Sequence, residues 1–246
     1  MTNRAVVLAG LVAVQAGALA HAGVINYTSQ DRSVFARAEN LDSFGDSETN
    51  GDSFGGTGDW AGNATAFWGG PDTYAQAASG QDVTLGASAI TARSFSADAD
   101  AFVTPPDTDI HLAHAYTALV TTFTLDADTA FVFGGTTTVD FQQGGGIVEW
   151  YFSLMLERDG GGPGIYLDQN TTDTPDGGAF WSHGTLWAGD WTLTVEMDAS
   201  AGAAFDELSK ARVESAFALV IPTPGSAGIL ALGAVAGAGR RRREPG

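Results

Sequence analysis

Apolar and polar residues alternate along much of this chain, and this pattern is typical of β-strands rather than helices. The clearest stretch runs from Ile147 to Glu157, where large apolar side chains occupy every second position. Alternate side chains of an extended strand share one face. The pattern therefore predicts that Trp150, Phe152 and Leu154 are buried together on the inner face of a strand.

The same period of two continues through most of the chain after residue 82. Val83 to Val103 alternates for 21 residues, longer than a usual strand, so we expect a bend or bulge near Thr91 to Arg93. Gly134-Gly135 predicts a hairpin turn or a bulge. Further strands are predicted at Ala115 to Leu125, Ala130 to Phe133, Thr136 to Phe141, Ile165 to Asp168, Trp191 to Met197 and Arg212 to Ile221.

Together these segments predict an all-β domain, because about eight to ten short strands with glycine turns and little helical period are typical of sandwiches. The predicted fold class is an antiparallel β-sandwich with a jelly-roll-like topology. Residues 83–221 would form its core. Residues 23–82 are polar and rich in glycine and aspartate. We interpret them as the N-terminal part of the domain. Within them Asp42-Ser43-Phe44-Gly45 recurs as Asp52-Ser53-Phe54-Gly55, and we interpret these two copies as related turns in a long loop or as two short strands.

Both ends of the chain have the composition of targeting segments. Arg4 precedes an apolar run from Ala5 to Leu19, and Ala20-His21-Ala22 is a small-residue cleavage site. Residues 1–22 are therefore predicted to be a signal peptide, cleaved after Ala22. This segment predicts that the protein is exported.

The C-terminal segment, residues 222–246, has three parts. Pro222-Thr223-Pro224 enforces an extended entry, and Ser226 to Gly239 is free of charge. As a helix the latter would span roughly 21 Å, short of the roughly 30 Å hydrocarbon core, and counting from Ile221 lengthens it to roughly 28 Å. The four cations that follow would hold that end in the cytoplasm; they are Arg240, Arg241, Arg242 and Arg243.

This arrangement resembles the PEP-CTERM sorting signal of bacterial envelope proteins, which consists of a Pro-x-Pro motif, a short apolar helix and a basic end. Here Thr223 replaces the central Glu of that motif. The resemblance implies a C-terminal transmembrane sorting helix with transient inner-membrane anchoring. It also implies processing by an exosortase-like membrane protease and a final place at the cell surface or in the extracellular matrix, where exopolysaccharide is an expected partner.

The chain is strongly acidic, with 29 acidic and 11 basic residues and a net charge of −18. Such a surface repels nucleic acid, so we expect no nucleic-acid partner. The chain contains no cysteine, which excludes thiol catalysis and disulfides.

Pairs of aspartates two residues apart suggest one cofactor, calcium, although no cofactor is required. The candidate ligands are Asp98 with Asp100 and Asp126 with Asp128. Hard oxygen ligands at this spacing suit calcium. The alternative is that these aspartates shape or solvate turns, as aspartate commonly does.

Three tryptophans close together in the sequence, Trp181, Trp187 and Trp191, suggest a surface on which sugar rings could stack. The alternative is that they belong to the core, as large aromatic side chains in sandwiches often do. On the first interpretation, these three residues are the candidate ligand-binding residues.

Nothing in the sequence predicts catalysis. Glu149, Glu157 and Glu196 could form a carboxylate pair of the kind that glycosidases use, but they are equally explained as outward-facing strand residues. The first hypothesis is therefore a non-catalytic structural or adhesive protein of the bacterial surface. A carbohydrate- or calcium-binding module is the alternative, and a hydrolase ranks last.

Overall fold

The computed structural model describes residues 24–41, 47–56, 58–70, 73–104, 109–144, 146–161, 164–170, 178–204 and 207–221. All regular structure in these residues is β, as predicted. The twelve strands described are β1 (Asn26–Asn40), β2 (Ser47–Phe54), β3 (Trp60–Gly69), β4 (Tyr74–Gly86), β5 (Ala89–Phe102), β6 (His111–Leu125), β7 (Thr129–Gln143), β8 (Val148–Arg158), β9 (Ile165–Asn170), β10 (Gly178–Leu186), β11 (Gly189–Ala203) and β12 (Leu208–Val220).

Two six-stranded sheets pack face to face, which confirms the predicted β-sandwich. The first sheet has the order β2-β1-β6-β11-β8-β9, and the second has the order β10-β7-β12-β5-β4-β3. Every neighbouring pair is antiparallel. The chain crosses repeatedly from one sheet to the other, so residues distant in sequence become neighbours.

The predicted signal peptide (1–22) and sorting tail (222–246) lie outside the described residues. Within the part of the chain that the structure does describe, no helix has the length and apolar character needed to cross a membrane.

The alternation that predicted β8 is confirmed. Trp150, Phe152 and Leu154 point into the sandwich and are at most 2 % exposed, whereas Glu149 and Tyr151, on either side of Trp150, face solvent. Burial of these large side chains away from water is the main source of stability for such a strand.

The core differs in side-chain size between its two ends. One end contains large side chains, among them Phe95, Phe123, Phe133, Phe152, Leu154, Leu193 and Phe217. The other is lined mostly by alanine, including Ala36, Ala38, Ala66, Ala77, Ala99, Ala101, Ala113, Ala115, Ala199, Ala201 and Ala211. Alanine fills little space between two sheets, so the sheets can approach closely there.

The described part of residues 23–82 forms core strands that the sequence pattern does not predict. This stretch contributes β1, β2, β3 and most of β4, and β1 pairs along its length with β6 near the middle of its sheet. The boundary drawn at Val83 falls inside β4. The alternating residues here are alanines such as Ala36 and Ala64, which are completely buried but give a weak hydrophobic signal.

The single strand predicted from Val83 to Val103 is two strands of a hairpin, with a turn at residues 87–88. The predicted bulge is confirmed at Arg93, which the pairing skips between Ala92 and Ser94. The turn moves the buried positions from odd to even residue numbers, and the bulge moves them back to odd numbers. The two shifts cancel, so most of the sequence keeps one alternating pattern.

Two further differences concern β7 and β10. Gly134 and Gly135 lie within the continuous strand β7 and form no turn. A Cβ atom at Gly135 would collide with the carbonyl oxygen of Ala216 on β12, so close strand packing explains this glycine. Strand β10 was not predicted at all, because its outward-facing residues include Trp181 and obscure the alternation.

The inward position of Trp150 gives a direct test of the fold. We expect Trp150→Ala to lower the free energy of unfolding by about 3–5 kcal/mol, because it leaves a large cavity. Tyr151→Ala is the matched control on the same strand, and it should cost about 1 kcal/mol or less because this ring faces solvent. Equal losses in denaturant titrations of the two variants would contradict the assigned faces of β8.

Candidate binding surface

Exposed large apolar side chains are concentrated on one lateral side of the sandwich. Most of those found among the described residues belong to β7–β10 and the loops beside them, namely Phe141, Ile147, Tyr151, Tyr166, Trp181 and Trp187. An exposed concentration of aromatic side chains commonly marks an interaction surface. This side of the molecule is therefore the place to look for ligand binding.

Trp181 is the most exposed large apolar residue described, with 66 % of its surface open to solvent. It projects outward from β10, at the edge of its sheet, and lies opposite Gly134 of β7. The next positions across the sheet are Ala218 and Thr91. Because these neighbours are small, the indole stands beside a low strip of the sheet. The His183 ring lies 5.1 Å from that of Trp181.

Trp187 follows β10 directly and is 44 % exposed. Its ring lies 5.8 Å from the guanidinium carbon of Arg158, within cation–π range. Arg158 Nη2 also donates a hydrogen bond to the carbonyl oxygen of Ala188 (2.6 Å). The loop that carries Trp187 is thus held against the end of β8.

Trp191 does not join this surface. It is 3 % exposed and lies in the core, so its ring cannot stack on a sugar in this conformation. Its Nε1 donates a hydrogen bond to the carbonyl oxygen of Trp187 (2.9 Å). Trp191 therefore supports the Trp187 loop from inside. Sequence proximity suggested three equivalent tryptophans, and only the fold separates two exposed rings from one buried ring.

Asp126 and Asp128 shape the turn between β6 and β7. Asp128 Oδ1 accepts a hydrogen bond from the backbone N–H of Ala188 (2.8 Å), and Asp126 Oδ2 accepts one from Asn26 Nδ2 (3.4 Å). Asp128 thereby helps to position the loop of Trp187. These contacts support the alternative interpretation of the pair as turn residues.

Asp98 and Asp100 lie on the outer face of β5, where basic residues of β12 already face them. Arg212 Nε lies 3.7 Å from Asp98 Oδ2, and Lys210 is the cross-strand partner of Asp100. Tyr74 donates a hydrogen bond to Asp100 Oδ2 (3.4 Å). Partial burial raises the pKa of both carboxyl groups, and the nearby cations oppose that shift.

Among the described residues, no three His, Asp or Glu side chains are placed around one possible metal position. The two histidines of β6 illustrate why: as expected for a strand, His111 points into the core against Trp68, while His114 points outward. The sorting residues Pro222, Thr223, Pro224 and Arg240, Arg241, Arg242 and Arg243 lie outside the described residues.

The three candidate glutamates are not brought together. Glu149 and Glu157 are eight residues apart on β8, roughly 26 Å along a strand. Glu196 pairs with Ser153, midway between them. Along the strand direction Glu196 is therefore about 13 Å from each of the other two, so every backbone separation exceeds the roughly 5–9.5 Å found between the carboxylates of glycosidases. The geometry therefore offers no carboxylate pair among these three.

The outer face of the first sheet contains two polar pairs that the sequence could not reveal. His114 Nε2 lies 2.6 Å from Asp198 Oδ2, and Tyr116 donates a hydrogen bond to Glu196 Oε1 (3.3 Å). Both pairs join β6 to β11, across 84 and 80 residues of sequence. The hydrogen bond to Asp198 raises the pKa of His114, and burial with Glu196 nearby raises the pKa of Tyr116 to about 12.

Comparisons with known proteins add little to this geometry. No known protein family matches the sequence, and no curated protein matches it either. Among solved structures, one similarity is to a CBM61 carbohydrate-binding module in complex with β-1,4-galactotriose. It covers 51 % of this chain and 71 % of that chain, with 14 % identity and a TM-score of 0.23. A similarity this low carries no argument about function.

The His114–Asp198 pair predicts a pH-dependent contribution to stability. Because the pKa of His114 is raised in the folded state, the folded state binds more protons than the unfolded state just above pH 6.5, the approximate pKa of an unfolded histidine. The contribution is fully present below that pH and is lost as pH rises through the folded pKa. We expect His114→Asn to reduce the fall in unfolding free energy between about pH 6 and 8.5, an effect of about 1 kcal/mol or less for a partly exposed pair.

Tyr116→Phe is the matched control, because it removes the neighbouring hydrogen bond without removing a group that titrates in this range. Denaturant titrations across the pH series would measure the slope for each variant. An unchanged slope in the His114 variant would contradict the assignment.

Proposed function

We propose that this protein is exported and non-catalytic, and that its β-sandwich binds neutral carbohydrate at the bacterial cell surface or in the extracellular matrix. Trp181 and Trp187 provide the contact surface. The observation that carries the binding proposal is the indole of Trp181, two-thirds exposed beside a low strip of small side chains.

Stacking of sugar rings on tryptophan accounts for this arrangement. An indole offers a large flat apolar face, and a concentration of exposed aromatic side chains commonly marks an interaction site. Gly134 and Ala218 leave open space beside the ring of Trp181. A saccharide lying against that ring could extend over the sheet without meeting a large side chain.

Charge favours neutral saccharides over acidic ones. With a net charge of −18, the chain repels polyanions, and this also disfavours nucleic acid as a partner. Hydroxyl groups of a neutral sugar could be recognised by the carboxylates near Trp187, which include Asp128, Asp159 and Asp190. Calcium is not required for such contacts.

The proposed localisation depends on the two targeting segments of the sequence. A signal peptide at residues 1–22 would direct export, and the PEP-CTERM-like tail at residues 222–246 would anchor the protein transiently in the inner membrane. An exosortase-like membrane protease would then process the tail. A structural or adhesive role follows if the released domain binds exopolysaccharide.

Carbohydrate binding is tested with immobilised neutral oligosaccharides, such as cellohexaose, xylohexaose and laminarihexaose, and with hyaluronan as an acidic control. We expect Trp181→Ala to weaken binding by about tenfold or more, as loss of a central aromatic contact typically does. Phe67→Ala is the matched control, because this exposed ring lies at the opposite edge of the same sheet. Equal binding by both variants, or dependence on millimolar calcium, would contradict the proposal.

The proposed localisation is tested by replacing Arg240 to Arg243 with serine. We expect loss of membrane retention or a reversed orientation, because the charges that stop translocation are gone. Replacement of the same residues with lysine keeps the charge and should behave as the parent protein. Cell fractionation and mass measurement distinguish the outcomes, and a serine variant with the location and mass of the parent would refute the sorting role.

A further inference from the structure

The sandwich has four edge strands, and three of them are protected against pairing with another strand. Strand β2 carries Glu48 and Asp52, and β9 is only six residues long. Strand β3 is uncharged, but Asn50 of β2 donates a hydrogen bond to the carbonyl oxygen of its Thr65 (3.3 Å). Charges, short strands and covering groups are common means of preventing edge-to-edge association.

Strand β10 has no such protection among the described residues. Gly178–Leu186 contains neither a charged residue nor a proline. It pairs with β7 over its whole length, so its other side presents backbone N–H and C=O groups without a neighbouring strand. An edge of this kind is a template for one more antiparallel strand.

We infer that a second copy of this chain pairs with β10 through its own β10, antiparallel and around a two-fold axis at Ser182. The two second sheets would then form one continuous sheet across the dimer. Two-fold pairing of identical surfaces is the commonest way in which soluble proteins associate. This inference does not depend on the proposed carbohydrate binding.

The side chains of β10 are self-complementary in this register. Trp181 lies opposite His183 of the partner subunit, which repeats between chains the ring contact already present within one chain. On the inner face, Phe180 lies opposite Gly184 of the partner subunit, so a large ring meets a residue without a side chain. Direct cross-strand pairs of this kind stabilise antiparallel sheets.

The self-complementary side chains identify a second copy as the occupant, and charge favours β10 as the place of contact. Two chains of net charge −18 repel each other over most of their surfaces. Along β10 no carboxylates meet, so this repulsion is least where the backbone groups are available. A consequence is that two Trp181 rings would lie on the same face of the joined sheet, about 7–8 Å apart as diagonal neighbours.

The mass of the full chain in solution tests the pairing. Light scattering from micromolar to millimolar concentration should show a dimer, and Ser182→Lys should shift it to monomer because two ammonium groups meet at the axis. Thr65→Lys, which adds the same charge on the opposite edge strand, should leave the dimer intact. A parent chain that is monomeric throughout, or a dimer that both variants retain, would overturn the inference.

Single cysteines test the register, since the chain has none of its own. Directly opposite residues have Cβ atoms about 4.5–5.5 Å apart, close to the 3.5–4.5 Å of a disulfide. Ser182→Cys should therefore cross-link on oxidation, whereas Thr185→Cys, which lies opposite Ala179 of the partner subunit, should not. Cross-linking at Cys-substituted Thr185 alone, or at neither position, would overturn the register around Ser182.

Carbohydrate binding is measured on the same samples, so that the two proposals can fail separately. A monomer that binds oligosaccharide overturns the pairing and leaves the proposed function standing. A dimer that binds no oligosaccharide contradicts the proposed function and leaves the pairing standing.

Discussion

Close approach of β4 in the second sheet to β1 and β6 in the first sheet is the constraint on which the rest of the fold depends. There, polar side chains of β4 reach the backbone of the first sheet. Gln81 Nε2 donates hydrogen bonds to the carbonyl oxygens of Ser33 and Ala118 (3.0 Å each), and Ser79 donates to that of Phe35 (2.9 Å). Larger core residues would separate the sheets and leave these buried groups unsatisfied, which costs about 1–3 kcal/mol each.

A buried arginine extends the same contact between sheets. Arg32 of β1 is 1 % exposed, and its Nη1 donates to the carbonyl oxygen of Val83 in the opposite sheet (3.2 Å). Its Nη2 donates to Gln30 Oε1 (2.6 Å) and to the carbonyl oxygen of Gly58. Burial lowers the pKa of Arg32. A charge in this position is tolerated because fixed dipoles replace its water, and it ties the segment before β3 to the core.

The opposite lateral side of the sandwich, which contains β7, β8 and β10, is filled by large aromatic side chains, and their packing explains the candidate surface. The ring centroid of Phe180 in β10 lies 6.0 Å from those of both Phe133 and Phe152. These contacts hold one face of the edge strand against the core. Alternation then forces Trp181 outward. The exposed indole and the open backbone edge thus both follow from one strand packing on large aromatic residues, and they connect the proposed ligand binding with the inferred self-association.

The sequence by itself determined the fold class, the strand β8 with its buried Trp150, and the bulge at Arg93, because these depend on local alternation and on strand length. It could not determine β1 to β4 as core strands, since buried alanines resemble a polar, glycine-rich loop in composition. Only the tertiary structure decided which tryptophans are exposed, because Trp181 and Trp191 differ in what packs on them. It alone also decided that His114 meets Asp198, as a contact across 84 residues is set by the order of strands in the sheet.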